Sequence, residues 1–415
     1  MLVAVPALIL LALAIPLAFA GVEFVPGAAT GAPDWLLGLS ALFDGGLGLS
    51  PELYAGLLGL AVVAWALLLP LAPRIGSRAI GWLSALGLLI FLIAPPLHSL
   101  DVFSYISYAR LAVDHGLNPY EAAPAAIPTD AAASRVEDYR DAVSVYGPLF
   151  TILSLPLGAL GMPFALWSLK AVAAASVAAL AALVARLAAV RGIDPAFAIA
   201  VVALNPLVLV HVVGGAHNDG LMALLGLLGV AAVIAGRDAL GGAGIVAAVA
   251  VKASALVYAP FALAGSDRRS RFLAGAVAVA ALLAAASLLA FGTSAGEAFE
   301  VLGGNQERVS RWSVPAALAR LTGIEVDLLR AVLVVLFAVA VLWLLARSAG
   351  FGRRPALDWV RAAAWASLLL LVASGYMVPW YLIWTLPLVA IARDRTLLLL
   401  AIGLTALQVP NGLPL

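Results

Sequence analysis

The chain has no cysteine and little charge. Without thiols, disulfide staples, thiolate nucleophiles and cysteine-ligated metals are all excluded. Only 11% of the 415 residues are charged, whereas a soluble globular chain carries about a quarter. Lysine is almost missing: of 23 basic residues only Lys170 and Lys252 are lysines. A net charge of +1 offers no basic excess for nucleic acid, and no nucleic-acid motif or glycine-rich phosphate loop occurs. What is abundant is apolar. Hydrophobic residues make up 64% of the chain and mean hydropathy is +1.10, which excludes a soluble enzyme, a disordered chain and a one-span receptor. At roughly 20 residues per crossing this composition allows up to about thirteen spans.

Apolar segments fall at about 2–20, 53–73, 79–97, 163–187, 194–213, 217–236, 240–265, 271–291, 325–347, 358–375, 380–393 and 396–412. They predict an all-α, polytopic integral membrane protein of about 11–13 transmembrane helices in a single domain, 1–415. Longer loops lie at 21–52, 98–145 and 292–324. The first segment has no basic n-region and is long for a signal sequence, so it is expected to be a retained span. With the N-terminus inside, thirteen loop arginines fall inside and six outside, which puts the 98–145 and 292–324 loops outside. Two segments break the zigzag. Residues 146–161 are short and interrupted by Pro and Gly, and read as a re-entrant hairpin. Residues 240–265 have arginines at both flanks and read as two half-helices meeting near Lys252.

Seven of the 22 acids lie between Asp101 and Asp141. Val102, Ile106, Ala109 and Val113 follow the stripe of an amphipathic helix lying on the bilayer surface. Asp101, Tyr105 and Tyr108 share another face of it. Asp101 admits two readings: a helix-start acid favoured by the dipole, or a general base facing a cavity whose tyrosines bind a polar ring. The remaining acids, Asp114, Glu121, Asp130, Glu137, Asp138 and Asp141, are expected to be solvated loop charges.

A second polar cluster is GGAHND, with His217, Asn218 and Asp219 at an outer turn. It is either turn and cap chemistry or part of a site. Two ligands without a third do not make a metal centre, so no metal is expected. Lys252 interrupts an apolar run and is costly there unless paired or hydrated, by about 2.5–3.5 kcal/mol. A mobile ammonium suits a phosphate. Lys170, near Trp167 at the start of a span, reads as an interfacial anchor. Arg308 and Arg311 in NQERVSRWS run against the positive-inside pattern and point to an anion. Tyr376, Trp380, Tyr381 and Trp384 form either an aromatic belt or a stacking wall for a sugar or isoprenoid.

Four blocks, DVFSYISYARLAVDHGLNPY, YGPLFTILSLP, NPLVLVHVVGGAHND and PWYLIWTLPL, occur in that order. Over about residues 80–393 they resemble the polyprenol-phosphate-mannose-dependent α-1,6-mannosyltransferases of actinobacteria, members of the GT-C glycosyltransferase superfamily. The resemblance implies a GT-C-like bundle in the plasma membrane with an extracytoplasmic active site. It implies that Asp101 is the catalytic base. By location it also implies that Lys252, Arg308 and Arg311 hold the donor phosphate, and through the GGAHND block it adds His217 to them. Tyr105, Tyr108, Asn218, Asp219, Tyr376, Trp380 and Tyr381 are then expected to line the substrate site. Many GT-C enzymes carry two adjacent acids in the first loop; here Val102 follows Asp101, which speaks against a metal-binding role.

The expected reaction moves a hexose, mannose above all, from a polyprenyl-phosphate donor to a glycan or glycolipid acceptor hydroxyl. It needs no cofactor, because the energy resides in the donor. One base without a nucleophilic partner fits single displacement with inversion. A transporter or flippase for a lipid-linked sugar is the competing class, since broken helices and buried charge suit it too. The absence of an inverted repeat and the one-sided acid- and tyrosine-rich loop weigh against it.

Overall fold

The structure, a computed structural model, describes residues 2–27, 33–43, 45–137, 139–296, 309–351 and 357–413. Arg308 and Asp138 lie outside them. Every regular element among the described residues is helical. The longer helices are α1 (Val5–Ala18), α2 (Pro51–Leu68), α3 (Ser77–Ile93), α4 (Asp101–Val113), α5 (Met162–Val190), α6 (Pro195–Ala203), α7 (Asp219–Ile234), α8 (Asp238–Val249), α9 (Arg269–Phe291), α10 (Val314–Thr322), α11 (Val326–Ser348), α12 (Trp359–Ala373) and α13 (Arg395–Leu407).

Local chemistry sets their starts. Ser50, Asp194, Ser313, Asp358 and Asp394 each accept a backbone N–H of the following turn, and Pro51, Pro195 and Pro315 sit just inside, where a missing N–H costs nothing. Four helices (α2, α5, α9 and α11) are each long and apolar enough to cross a bilayer, five spans in all if the pair Pro195–Ala203 and Val208–Gly214, bent by 60°, counts as one. The other apolar helices have 10–17 residues. The expected eleven to thirteen spans therefore rest on these shorter helices. The protein is a polytopic, all-helical membrane protein. Its outermost helices are α9 and α11, buried over only 11% and 6% of their apolar windows, so Leu and Val face outward where lipid tails replace water.

Lys252 does mark a break. α8 stops at Val249, Lys252 is extended, and the chain resumes helically at Ala253–Tyr258 and Ala259–Gly265. The segment 146–161 holds a short helix, Pro148–Ser154, with one further turn.

Three expectations need correction. The helix after Asp101 exists, but it does not lie on a surface: Val102 through Ala109 are all buried, and only its end is open, with Val113 46% exposed. The face that carries Tyr105 and Tyr108 is covered by the 139–150 segment, whose Tyr146 and Phe150 rings pack edge-on against Tyr105. Asp130 is not a solvated loop charge. It is buried, accepts Arg110 Nε–H at 2.7 Å, and takes the N–H groups of Ala132 and Ala133. Burial alone would raise its carboxyl, but these donors and the Arg110 charge hold it below the usual range. Lys170 is not an interfacial anchor. It is fully buried and donates to the Pro95 and Gly214 carbonyls at 3.2 and 3.0 Å, which the turns around them leave without helical partners.

The seam of α8 with α9 is made by small residues. Gly242 lies against the Phe272 carbonyl and Gly275 against that of Ala239, so a Cβ on either would run into backbone. Gly275→Leu should destabilise the protein by about 1–3 kcal/mol or more. A lower unfolding midpoint in detergent is the expected reading, and an unchanged midpoint would show that the two helices part freely.

Candidate active site

The site grows from two turns. Asn205-Pro206 ends α6, and Asn205 Oδ1 caps the restart by accepting the N–H groups of Leu207 and Val208. The wide π-type helix Val208–Gly214 follows, carrying His211. At its end Gly215 leaves room for the His217 ring, which sits where a Cβ would stand 2.7 Å away. That ring folds back so that Nδ1 donates to the His211 carbonyl at 2.6 Å. The carbonyl can only accept, so the proton of a neutral His217 is on Nδ1 and Nε2 keeps a lone pair. The second turn is 94–100, where Leu97 N–H donates to Gly214 O and Lys170 ties Pro95 O to the same oxygen. His98 and Ala216 both adopt positive φ, at 61° and 57°. Such strain persists only where surroundings hold it, and these two residues flank the contact between the turns.

That contact is Ser99 with His217. His217 Nε2 lies 3.1 Å from Ser99 Oγ and 3.5 Å from Asp101 Oδ2, while Asp101 N–H donates to Ser99 Oγ at 3.2 Å. The Asp101 side chain is 18% exposed, His217 is fully buried, and Trp380 stacks on the imidazole at 3.7 Å. Asp101 heads α4, where the helix dipole favours a carboxylate.

A second cluster adjoins it. Asp219, fully buried at the start of α7, receives Lys252 Nζ on both oxygens at 2.8 and 3.0 Å and Trp384 Nε1–H at 2.6 Å. The ammonium lies over Tyr381 at 4.6 Å, and Tyr381 stacks on Trp384 at 3.9 Å. Tyr258 holds Trp384 from behind by donating to its carbonyl. Trp380 meets Tyr381 edge-on at 6.2 Å, so one aromatic wall joins the Asp101 and Asp219 clusters.

Near these clusters stand under-satisfied polar atoms. Among the described residues, the buried Tyr105 hydroxyl and both side-chain polar atoms of Asn218 have no hydrogen-bond partner of good geometry. Burial, with the charges of Asp101 and Asp219 adding, holds the Tyr105 phenol well above its ordinary value, so it stays a donor. Buried donors and acceptors without partners call for water or a ligand.

The structure thus brings together Asp101, His217, Asn218, Asp219, Lys252, Tyr105, Trp380 and Tyr381. It uses others differently. The Tyr108 hydroxyl donates to the Ala142 and Val143 carbonyls and latches the outer loop. Tyr376 Oη pairs with Tyr139 Oη at 3.0 Å. Arg311 is exposed and lies over the Trp312 ring at 5.5 Å, with no ion pair to either cluster among the described residues. Its segment is nonetheless pinned beside the aromatic wall, since Ser310 Oγ bonds Met377 and Ser310 N–H donates to Gly375 O. The sequence pattern did not single out Ser99, although it stands two residues before Asp101 and is a local cap candidate; Trp384 was legible in the aromatic run with Tyr381, but not as a partner of Asp219. No group of three or more potential metal ligands occurs among the described residues.

Residues 9–266, more than half the chain, match the family of the alpha-(1->6)-mannopyranosyltransferase, N-terminal domain. The chain belongs to this family, and with it to the mannosyltransferases. It is 28% identical over 401 residues to alpha-(1->6)-mannopyranosyltransferase A of Mycobacterium tuberculosis, covering 88% of this chain and 75% of that protein. The similarity to alpha-(1->6)-mannopyranosyltransferase A of Corynebacterium glutamicum is 28% over 171 residues, 40% of this chain and 35% of that one. Another alpha-(1->6)-mannopyranosyltransferase of Mycobacterium tuberculosis is 32% identical over 159 residues, 37% of this chain and 27% of its own length. No solved structure matches the chain.

The Lys252–Asp219 pair yields a stability prediction. Lys252→Ala strands a buried carboxylate and should cost about 3–5 kcal/mol. Adding Asp219→Leu should recover much of that loss, as read from unfolding midpoints of the single and double variants. A double variant no more stable than Lys252→Ala would mean that the pair is not what holds this region.

Proposed function

We propose that this protein transfers mannose from a polyprenyl-phosphate donor to a hydroxyl of a glycan or glycolipid acceptor, by single displacement with inversion, at the extracytoplasmic face of the plasma membrane. One observation carries the reading. Of the two site carboxylates, Asp219 is fully buried and bound by Lys252 and Trp384, whereas Asp101 is partly exposed and, among the described residues, approached only by His217. A base needs a lone pair that the acceptor hydroxyl can reach, and Asp101 is the acid with an open edge.

In this scheme Asp101 takes the acceptor proton as the hydroxyl attacks the anomeric carbon. The bond to the phosphate oxygen breaks on the opposite face, and charge gathers on the leaving phosphate. Lys252 has three N–H donors, two of them engaged by Asp219, which leaves one for a phosphate oxygen. A preplaced donor of this kind stabilises charge as it develops. Arg308 and Arg311 would add to it from the 292–324 loop. The Tyr105 hydroxyl and the Asn218 amide suit sugar hydroxyls, and Trp380 and Tyr381 offer ring faces.

The placement across the membrane draws support from α5. Lys170, tied to the site turns, and Arg191, the residue that closes this helix, lie twenty-one residues apart, roughly 30 Å and close to the hydrocarbon thickness. Around Arg191 gather Asp358, Arg393 and Gly192, where the arginine-rich inner loops are expected. A single-domain reading is supported by the site itself, which joins residues 99–252 to residues 380–384.

Asp101→Asn keeps the shape of the side chain and removes its basicity. Transfer should fall about 10²–10⁴-fold while donor binding persists. The assay is incorporation of radiolabel from polyprenyl-phosphate-mannose into short mannosides by the purified protein. Near-normal turnover of a folded Asp101→Asn variant removes the base, and transfer from GDP-mannose alone overturns the donor class.

A further inference from the structure

His217 was expected among the phosphate ligands, yet it is fully buried, with both ring nitrogens turned toward protein atoms. We infer that His217 is a positioning residue behind Asp101 that receives the acceptor's proton from it. The inference rests on the reading of Asp101 as base.

Three features of the ring support it. The His211 carbonyl fixes the proton of the neutral ring on Nδ1, so that the basic Nε2 faces Ser99 Oγ at 3.1 Å and Asp101 Oδ2 at 3.5 Å. Trp380 lies flat on the imidazole, at 3.7 Å and 18° between planes, an arrangement that stabilises a cationic ring. The turn that presents the ring is strained at Ala216, and the turn that presents Ser99 is strained at His98. Strain kept on both sides of one hydrogen bond marks a geometry that the fold maintains at a cost.

The proton path closes without any added reagent. The acceptor O–H proton passes to Asp101 Oδ2 as the new C–O bond forms and the anomeric C–O bond breaks, its electron pair leaving with the phosphate. The Asp101 acid then gives its proton to His217 Nε2, displacing the Ser99 hydroxyl, which turns to accept from the new Nε2–H. Asp101 is again a carboxylate, now beside an imidazolium. The proton leaves when product departs and water enters past Asp101, the member of the set with an open edge. The titratable groups around this ring are Asp101 from α4, His211 from its own segment with His98 beyond it, and Lys170 through the Gly214 carbonyl, while Asp219, two residues on in the chain, is bonded to Lys252. Trp380 on the remaining side is neutral.

A purely structural His217 would be replaced well by glutamine, whose amide can bond Ser99 and His211 but cannot carry a proton. His217→Gln should therefore lower kcat about 10²-fold with donor KM and the unfolding midpoint close to those of the parent protein. Asp101→Asn is assayed alongside it. Full kcat in His217→Gln with an inactive Asp101→Asn overturns the relay and leaves the base assignment standing. Activity in Asp101→Asn removes both. Loss of kcat, donor affinity and stability together in His217→Gln would reduce the histidine to a packing role and overturn the inference.

Discussion

The Lys252–Asp219 pair is the constraint around which the membrane interior is organised. An ammonium and a carboxylate at 2.8 Å in apolar surroundings are tolerable only when each is held and hydrogen-bonded. The helix breaks at Lys252 to let the side chain reach Asp219. The break in turn frees the Ala250 and Val251 carbonyls, which accept the N–H groups of Leu149 and Gly147. Gly147 can approach because it has no Cβ. The same carboxylate binds the Trp384 indole, so that three regions far apart in sequence meet on one pair of charges.

A second tie works beside it. Lys170 gathers the carbonyls of Pro95 and Gly214, and this brings the turn before Asp101 against the turn before Asp219. Its two partners are backbone oxygens, so the ammonium serves as a bridge between turns and has no anion to itself among the described residues. With both lysines in place, the two acids that head α4 and α7 stand beside one aromatic wall, each at a helix start where the dipole favours its charge. The chain has two lysines, and each holds one side of the site.

Much of this was legible before any coordinates. Hydropathy gave the helical membrane class, and the arginines flanking 240–265 gave the break near Lys252, because a continuous span would have placed one of them on the wrong side. The motif blocks gave Asp101 and the GGAHND turn. What stayed hidden was pairing. Lys252 and Asp219 were both singled out, but 33 residues of separation say nothing about a salt bridge between them. Lys170 looked like an anchor because its sequence neighbours resemble an interface; only the packing of α5 turns it inward. The helix after Asp101 has an amphipathic stripe that suits a membrane surface equally well, and periodicity cannot tell whether water or a tyrosine-rich loop covers the other face.

The division of labour between the two carboxylates follows from their surroundings. Both stand at helix starts, both are near Tyr105, and both are reached by the same aromatic wall. Asp219 has a cation and an indole donor bonded to its oxygens. Asp101 has a partly open edge and the His217 imidazole behind it. One acid is thereby tied to a cation, and the other is left with an open edge. The proposed inverting transfer would use this asymmetry, because the proton would be removed on one side of the anomeric carbon while negative charge develops on the other. Trp380 and Tyr381 keep the two environments apart yet adjacent, so the aromatic segment after Pro379 shapes the chemistry as well as the packing, although it lies beyond the residues matched by the family's N-terminal domain.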